Sequence, residues 1–89
     1  MADSFTLSCG PAEESFATLP LVVRRLEMVN LTNWPIFWSF VSGKANSVDG
    51  QQLDAGDSRD FGDVLTLGGV TLYVSSDFEG AQLLVRIED

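Results

Sequence analysis

Apolar and polar residues alternate with a period of two through most of the chain, the spacing of strands that set one face on a core and the other in water. The pattern is densest over residues 29–41, VNLTNWPIFWSFV. Val29 and Leu31 alternate there with Asn30 and Thr32. After Asn33-Trp34-Pro35, Ile36, Trp38 and Phe40 share one face, and Phe37, Ser39 and Val41 the other. Pro35 lacks an amide N–H and holds Trp34 in extended conformations, so the chain breaks at that point. The expectation is a hairpin that later strands cover.

The flanking segments extend the same pattern. Residues 4–8 (SFTLS) place Phe5 and Leu7 on one face, as a short strand or as an arm that adds to a sheet edge. Residues 11–19 suit one or two helical turns, with Pro11 first and Glu13 and Glu14 at the positive end of the helix dipole. A tether over residues 1–20 is the competing reading. Residues 21–32 form the first long strand candidate, with Arg24, Leu26 and Met28 opposite Arg25, Glu27, Val29 and Leu31, and its second half covered on both sides. Residues 42–50 (SGKANSVDG) are turn formers and predict an exposed loop.

Further strands are expected at 51–53, 58–61 and 64–67, with Phe61 inward. Gly56 serves a tight turn over 54–57, and Gly68-Gly69 marks a hairpin-grade break. Residues 70–75 (VTLYVS) and 81–88 (AQLLVRIE) are the clearest strands. Val70, Leu72 and Val74 point inward in the first, and Ala81, Leu83, Val85 and Ile87 in the second. Strands every 8–12 residues with turns between them predict an all-β antiparallel sandwich or barrel of about six to eight short strands. The expected layout is an irregular N-terminal arm, or short strand plus turn, over 1–20 and a β-sandwich domain over 21–89.

Composition narrows what such a domain does. At 89 residues it is one domain with a modest core, and oligomerisation is the natural further support, since a single cysteine forms no internal disulfide. There is no histidine, the commonest general base and zinc ligand. Thirteen acids against five bases give a net charge of −8, which disfavours nucleic acid and anionic membranes as partners. The start lacks a basic, apolar secretory signal, and no apolar run approaches the roughly 20 residues that span a bilayer. A soluble protein made in the cytoplasm is expected.

Three constellations invite chemistry. Asp49, Asp54, Asp57, Asp60 and Asp63 suggest calcium, but their spacing departs from the helix–loop–helix calcium loop. A solvated, edge-protecting acidic loop is the preferred reading. Trp34, Phe37, Trp38 and Phe40 suggest a sugar-stacking platform, yet alternating aromatics on a strand more often form a core or subunit interface. Cys9 has no histidine to activate it, and no catalytic triad can be assembled. An enzyme is not expected, and neither a metal nor a cofactor is called for.

Residues 28–88 resemble small structural proteins of tailed bacteriophages. The likeness rests on a strand ending in Val29-Asn-Leu-Thr-Asn33, the aromatic strand Ile36-Phe-Trp-Ser-Phe40, and the turn Leu53-Asp-Ala-Gly-Asp-Ser58 followed by Phe61. Gly69-Val-Thr-Leu-Tyr-Val74 and Gly80-Ala-Gln-Leu-Leu-Val-Arg-Ile87 complete it. The resemblance implies a capsid decoration, or cement, protein on the virion surface, assembled as a homo-oligomer (a trimer is favoured) and binding the major capsid protein. On that reading Phe5, Leu7, Trp34, Phe37, Trp38, Tyr73 and Phe78 are interface candidates, and the N-terminal arm lies on a neighbour by β-augmentation. A phage tail or baseplate component, and a carbohydrate-binding module using Trp34 and Trp38, are the alternatives.

Overall fold

The computed structural model describes residues 2–11, 14–21, 23–63 and 69–88. Eight strands account for most of them: β1 (Ala2–Cys9), β2 (Ser15–Thr18), β3 (Arg25–Asn30), β4 (Ile36–Ser39), β5 (Gln51–Leu53), β6 (Ser58–Asp63), β7 (Thr71–Ser75) and β8 (Ala81–Glu88). They form two four-stranded sheets in the orders β1-β8-β3-β6 and β2-β7-β4-β5, antiparallel at every ladder. Of the seven connections, only that from β4 to β5 stays within one sheet. This order is the jelly roll, two interleaved Greek keys closed into a sandwich.

The core follows the alternation. Leu26 and Met28 of β3, Leu72 and Val74 of β7, and Ala81, Leu83, Val85 and Ile87 of β8 are buried between the sheets with Leu19, Val23, Ile36, Trp38 and Leu53. Phe5 and Leu7 of β1, together with Phe61, pack on the same core from its margin. The turn at 54–57 forms as its residues predict: the Asp57 amide donates to the Asp54 carbonyl at 3.0 Å, and Gly56 takes a φ of 75°, which a side chain would resist.

Several expectations are corrected by the ladders. Residues 29–41 are not a hairpin, because β3 pairs with β8 and β6 while β4 pairs with β7 and β5. Trp34-Pro35 lies in a crossover between sheets. Gly69 precedes β7, which lies in the sheet opposite to β6; the residues before it that a hairpin would pair with β7 lie outside the described ones. The strand candidate at 21–32 is shorter than its pattern suggests: β3 ends at Asn30, and Leu31 beyond it is exposed rather than covered.

The N-terminal segment is the strand alternative and no irregular arm. All eight residues of β1 are in register with β8, from Ala2 opposite Glu88 to Cys9 opposite Ala81, so β1 meets its β-partner within the chain. Helical turns over 11–19 are also absent among the described residues. Residues 15–18 form β2 instead, because an edge ladder to β7 satisfies a backbone that so short a helix would leave largely unpaired. The strand expected at 64–67 lies outside the described residues.

A single buried side chain joins the two sheets at one end. Asn30, 1% exposed, closes β3 on the core side. Its Nδ2 donates to the carbonyls of Trp34, Leu53 and Asp54 at 2.8, 3.0 and 3.2 Å. Its Oδ1 accepts from the amide and the hydroxyl of Thr32 at 2.9 and 2.7 Å. The crossover from β3, the end of β5 and the turn into β6 are thereby held to one amide. Ser76, also buried, donates to the Pro35 carbonyl at 2.8 Å and ties the β7–β8 turn to the same crossover.

Two outcomes follow. Asn30→Ala strips several buried carbonyls and an amide of their partners at once, so urea unfolding should show a loss of roughly 3 kcal/mol; an unchanged midpoint would refute the role of this amide. Burial also pushes the Cys9 thiol from 9.0 up to about 11, so the unfolded chain ionises first. Its contribution to stability is whole below pH 9 and shrinks as pH rises toward 11, at up to about 1.4 kcal/mol per pH unit. Urea titrations in that window should show a steeper decline for the native chain than for Cys9→Ala.

Candidate functional site

The outward side of the second sheet carries the candidate site. Cross-strand register sets Phe16 of β2, Tyr73 of β7 and Ser39 of β4 in one row, with Thr18 beside Thr71 in the next. Their neighbours Ala17, Leu72 and Val74 turn to the core, so these residues must face out. The threonine hydroxyls meet at 3.1 Å. Phe16 and Tyr73 pair as tilted rings, with centroids 6.1 Å apart and planes at 40°. Phe16 remains 65% exposed, although burying such a ring is worth about 1.5–3 kcal/mol.

One wall of the site is a loop laid over that sheet. Glu14, just before β2, accepts from the amides of Gly43 and Ala45 through its two carboxylate oxygens, at 2.7 and 2.9 Å. Ser75 of β7 donates from its hydroxyl to the Ala45 carbonyl. Ala45 is buried in consequence, and so is Phe37, the ladder partner of Ser75. Asn46 organises the rest, accepting from the amides of Val48 and Asp49 at 2.9 and 2.8 Å. At Gly50 an added Cβ would lie 2.8 Å from the Asn46 carbonyl oxygen and 2.9 Å from that of Lys44, so only glycine permits this approach. The loop is exposed over most of its length, as its turn formers predict, while Ala45 is buried against the sheet.

Between loop and sheet runs a groove of about 420 Å³ lined by Glu14, Phe16, Ser42, Thr71 and Tyr73. Its means of recognition are two aromatic rings and three hydroxyls. Both Glu14 oxygens are already engaged by backbone amides, which suits a structural carboxylate better than a proton acceptor. The groove therefore offers apolar contact and hydrogen bonding.

The acidic residues do not converge. Asp60 pairs with Arg25 at 2.7 Å, and Asp54 accepts from Gln52 at 2.6 Å. Asp49 lies 3.8 Å from Lys44 and 3.4 Å from the Asn46 amide. Among the described residues no group of three or more acidic, cysteine or histidine side chains is placed to hold a metal ion.

The seven interface candidates are distributed over several places. Tyr73 lies in the groove. Trp34 stacks on half-exposed Phe78 at the Asn30 end, with centroids 5.1 Å apart. Phe5 and Leu7 turn inward against the core. Phe37 is under the loop, and Trp38 is only 8% exposed, its edge set against Phe40 and Phe61 at 5.4 Å each. Trp38 therefore cannot join Trp34 in an exposed sugar platform. Phe16, the most exposed aromatic of the groove, escapes the sequence reading because residues 11–19 suit a helix. The alternation Ser15-Phe16-Ala17-Thr18 is its only signal, and four residues carry little of one.

No family model matches the chain, and no curated protein is similar to it. Among solved structures, the solution NMR structure of a de novo designed double-stranded β-helix matches with a TM-score of 0.56, covering 100% of this chain and 99% of that one. At 16% identity the similarity is one of fold alone.

Proposed function

We propose that this chain is a non-enzymatic structural protein of the capsid-decoration type. It adheres to the outside of a phage head as a homo-oligomer and stabilises contacts between major capsid subunits. The observation that carries the reading is the Phe16–Tyr73 face: an aromatic pair left largely open on a sheet of a small acidic domain, beside a wall already ordered by Glu14 and Ser75. Aromatic rings of this kind are the usual anchors of protein interfaces. A rigid wall also reduces the ordering cost of association.

Other features support it. Jelly rolls serve in viral shells, in lectins and in cupins, and a chain without histidine lacks the imidazole donors most metal-dependent chemistry uses. The sequence resemblance over residues 28–88 points the same way. The inward placement of Phe5 and Leu7 moves the proposed contact from an N-terminal arm to the Phe16 face.

Phe16→Ser exchanges an exposed ring for a hydroxyl, so the fold should survive with little change in unfolding midpoint. Binding to phage heads that lack the protein should fall at least about tenfold, the effect of losing an interface anchor worth over 1.4 kcal/mol. Undiminished binding by Phe16→Ser and by Tyr73→Ser would overturn the reading. Sedimentation of the free protein should show an oligomer, with a concentration-independent monomer as the contrary result.

A further inference from the structure

The two edge strands β5 and β6 belong to different sheets, and a slot opens near them that the adhesive face does not use. Its floor is Trp38, Phe40 and Leu53, and its lips include Gln51, Gln52 and Arg59, enclosing about 400 Å³. This volume lies within the usual range of about 300–1,000 Å³ for small-molecule sites. Register explains why polar groups stand over an aromatic floor. Gln51 is the ladder partner of Trp38, and Arg59 that of Met28, so both occupy core-side positions of their strands. The Arg59 guanidinium sits 5.0 Å above the Phe61 ring, and that ring packs against Trp38.

Three of the five bases are paired, which leaves Arg24 and Arg59, and of these two Arg59 is the one that lines the slot. Arg25 pairs with Asp60, Arg86 with Glu27, and Lys44 with Asp49. Arg59 and the Gln51 amide have no hydrogen-bond or ion-pair partner among the described residues, in a chain with 13 acids and 5 bases. A charge turned inward on an edge strand does discourage edge-to-edge pairing. That purpose leaves the neighbouring amide and the aromatic floor without a use. A guanidinium held on a ring face presents its forked N–H donors to a planar carboxylate.

We propose that this slot binds a small aromatic carboxylate. The apolar body lies on Trp38 and Phe40, and the carboxylate accepts from Arg59 and Gln51. The site is independent of the adhesive face. The net charge of −8 opposes anions at long range, but salt at about 0.15 M screens it beyond roughly 8 Å.

The test uses the full chain at that salt, with 2-naphthoate as probe and 2-naphthalenemethanol as its neutral counterpart. Binding is followed by amide and indole NMR shifts. The acid should give saturable shifts at the Trp38 indole N–H and the Gln51 side-chain amide, and should bind about tenfold more tightly than the alcohol, the worth of one charge-assisted contact. Arg59→Gln, a surface change that leaves the unfolding midpoint in place, should erase that preference, and Arg59→Lys should keep part of it. Equal affinity for acid and alcohol, an undiminished preference in Arg59→Gln, or shifts confined to the Phe16 groove would each overturn the proposal. None of these results bears on shell binding by the Phe16 face.

Discussion

The buried amide of Asn30 is the constraint on which the rest of this architecture depends. A sandwich whose connections nearly all cross between sheets has few local hydrogen bonds to set where each crossover begins. Here one side chain satisfies backbone groups of the crossover that follows it, at Thr32 and Trp34, and of a segment more than twenty residues away, at Leu53 and Asp54. In a low-dielectric interior such a group is worth keeping only when its donors and acceptors are all met. Asn30 meets that condition, and Ser76 repeats the device on the neighbouring carbonyl of Pro35. The turn that presents Trp34 against Phe78 is a consequence of both.

On the outward side of the second sheet, a carboxylate plays the corresponding part. Glu14 and Ser75 clamp the loop after β4, so that it shields Phe37 while leaving Phe16 and Tyr73 open. The second sheet thus has a covered half and a half where Phe16 stays exposed. Both sheet rims near β5 and β6 are managed differently. β5 is only three residues long, and β6 carries Arg59 and Asp60, which discourages edge pairing and sets a cation over the aromatic slot.

Much of the strand layout was legible from alternation alone. The bounds read for β5 and β8 coincide with those observed, and β7 differs by one residue. In β7 and β8 one face meets the core, so every inward residue is apolar, and most outward ones are polar. β2 was illegible because it is a four-residue edge strand whose outward residue, Phe16, is the large apolar one. The groove beside Phe16 was legible only at Tyr73, and the aromatic slot only in that Phe61 was read as inward. Alternation says which residues share a face, but it does not say whether that face meets a core, a loop or solvent.

What the chain determined by itself is therefore the all-β class, the strands that set one face on the core with their inward residues, the tight turn at Gly56 and the lack of imidazole chemistry. These follow from local sterics, side-chain polarity and composition. Strand partnership was decided only in three dimensions. Trp34-Pro35 looks like a hairpin turn, yet it feeds a strand into the opposite sheet, because ladder hydrogen bonds are alike for every pair of strands and the choice falls to packing and to Asn30. The same holds for the aromatics: Trp38 and Phe16 are equally apolar in sequence, and only the closing of two sheets buried one and left the other on the surface.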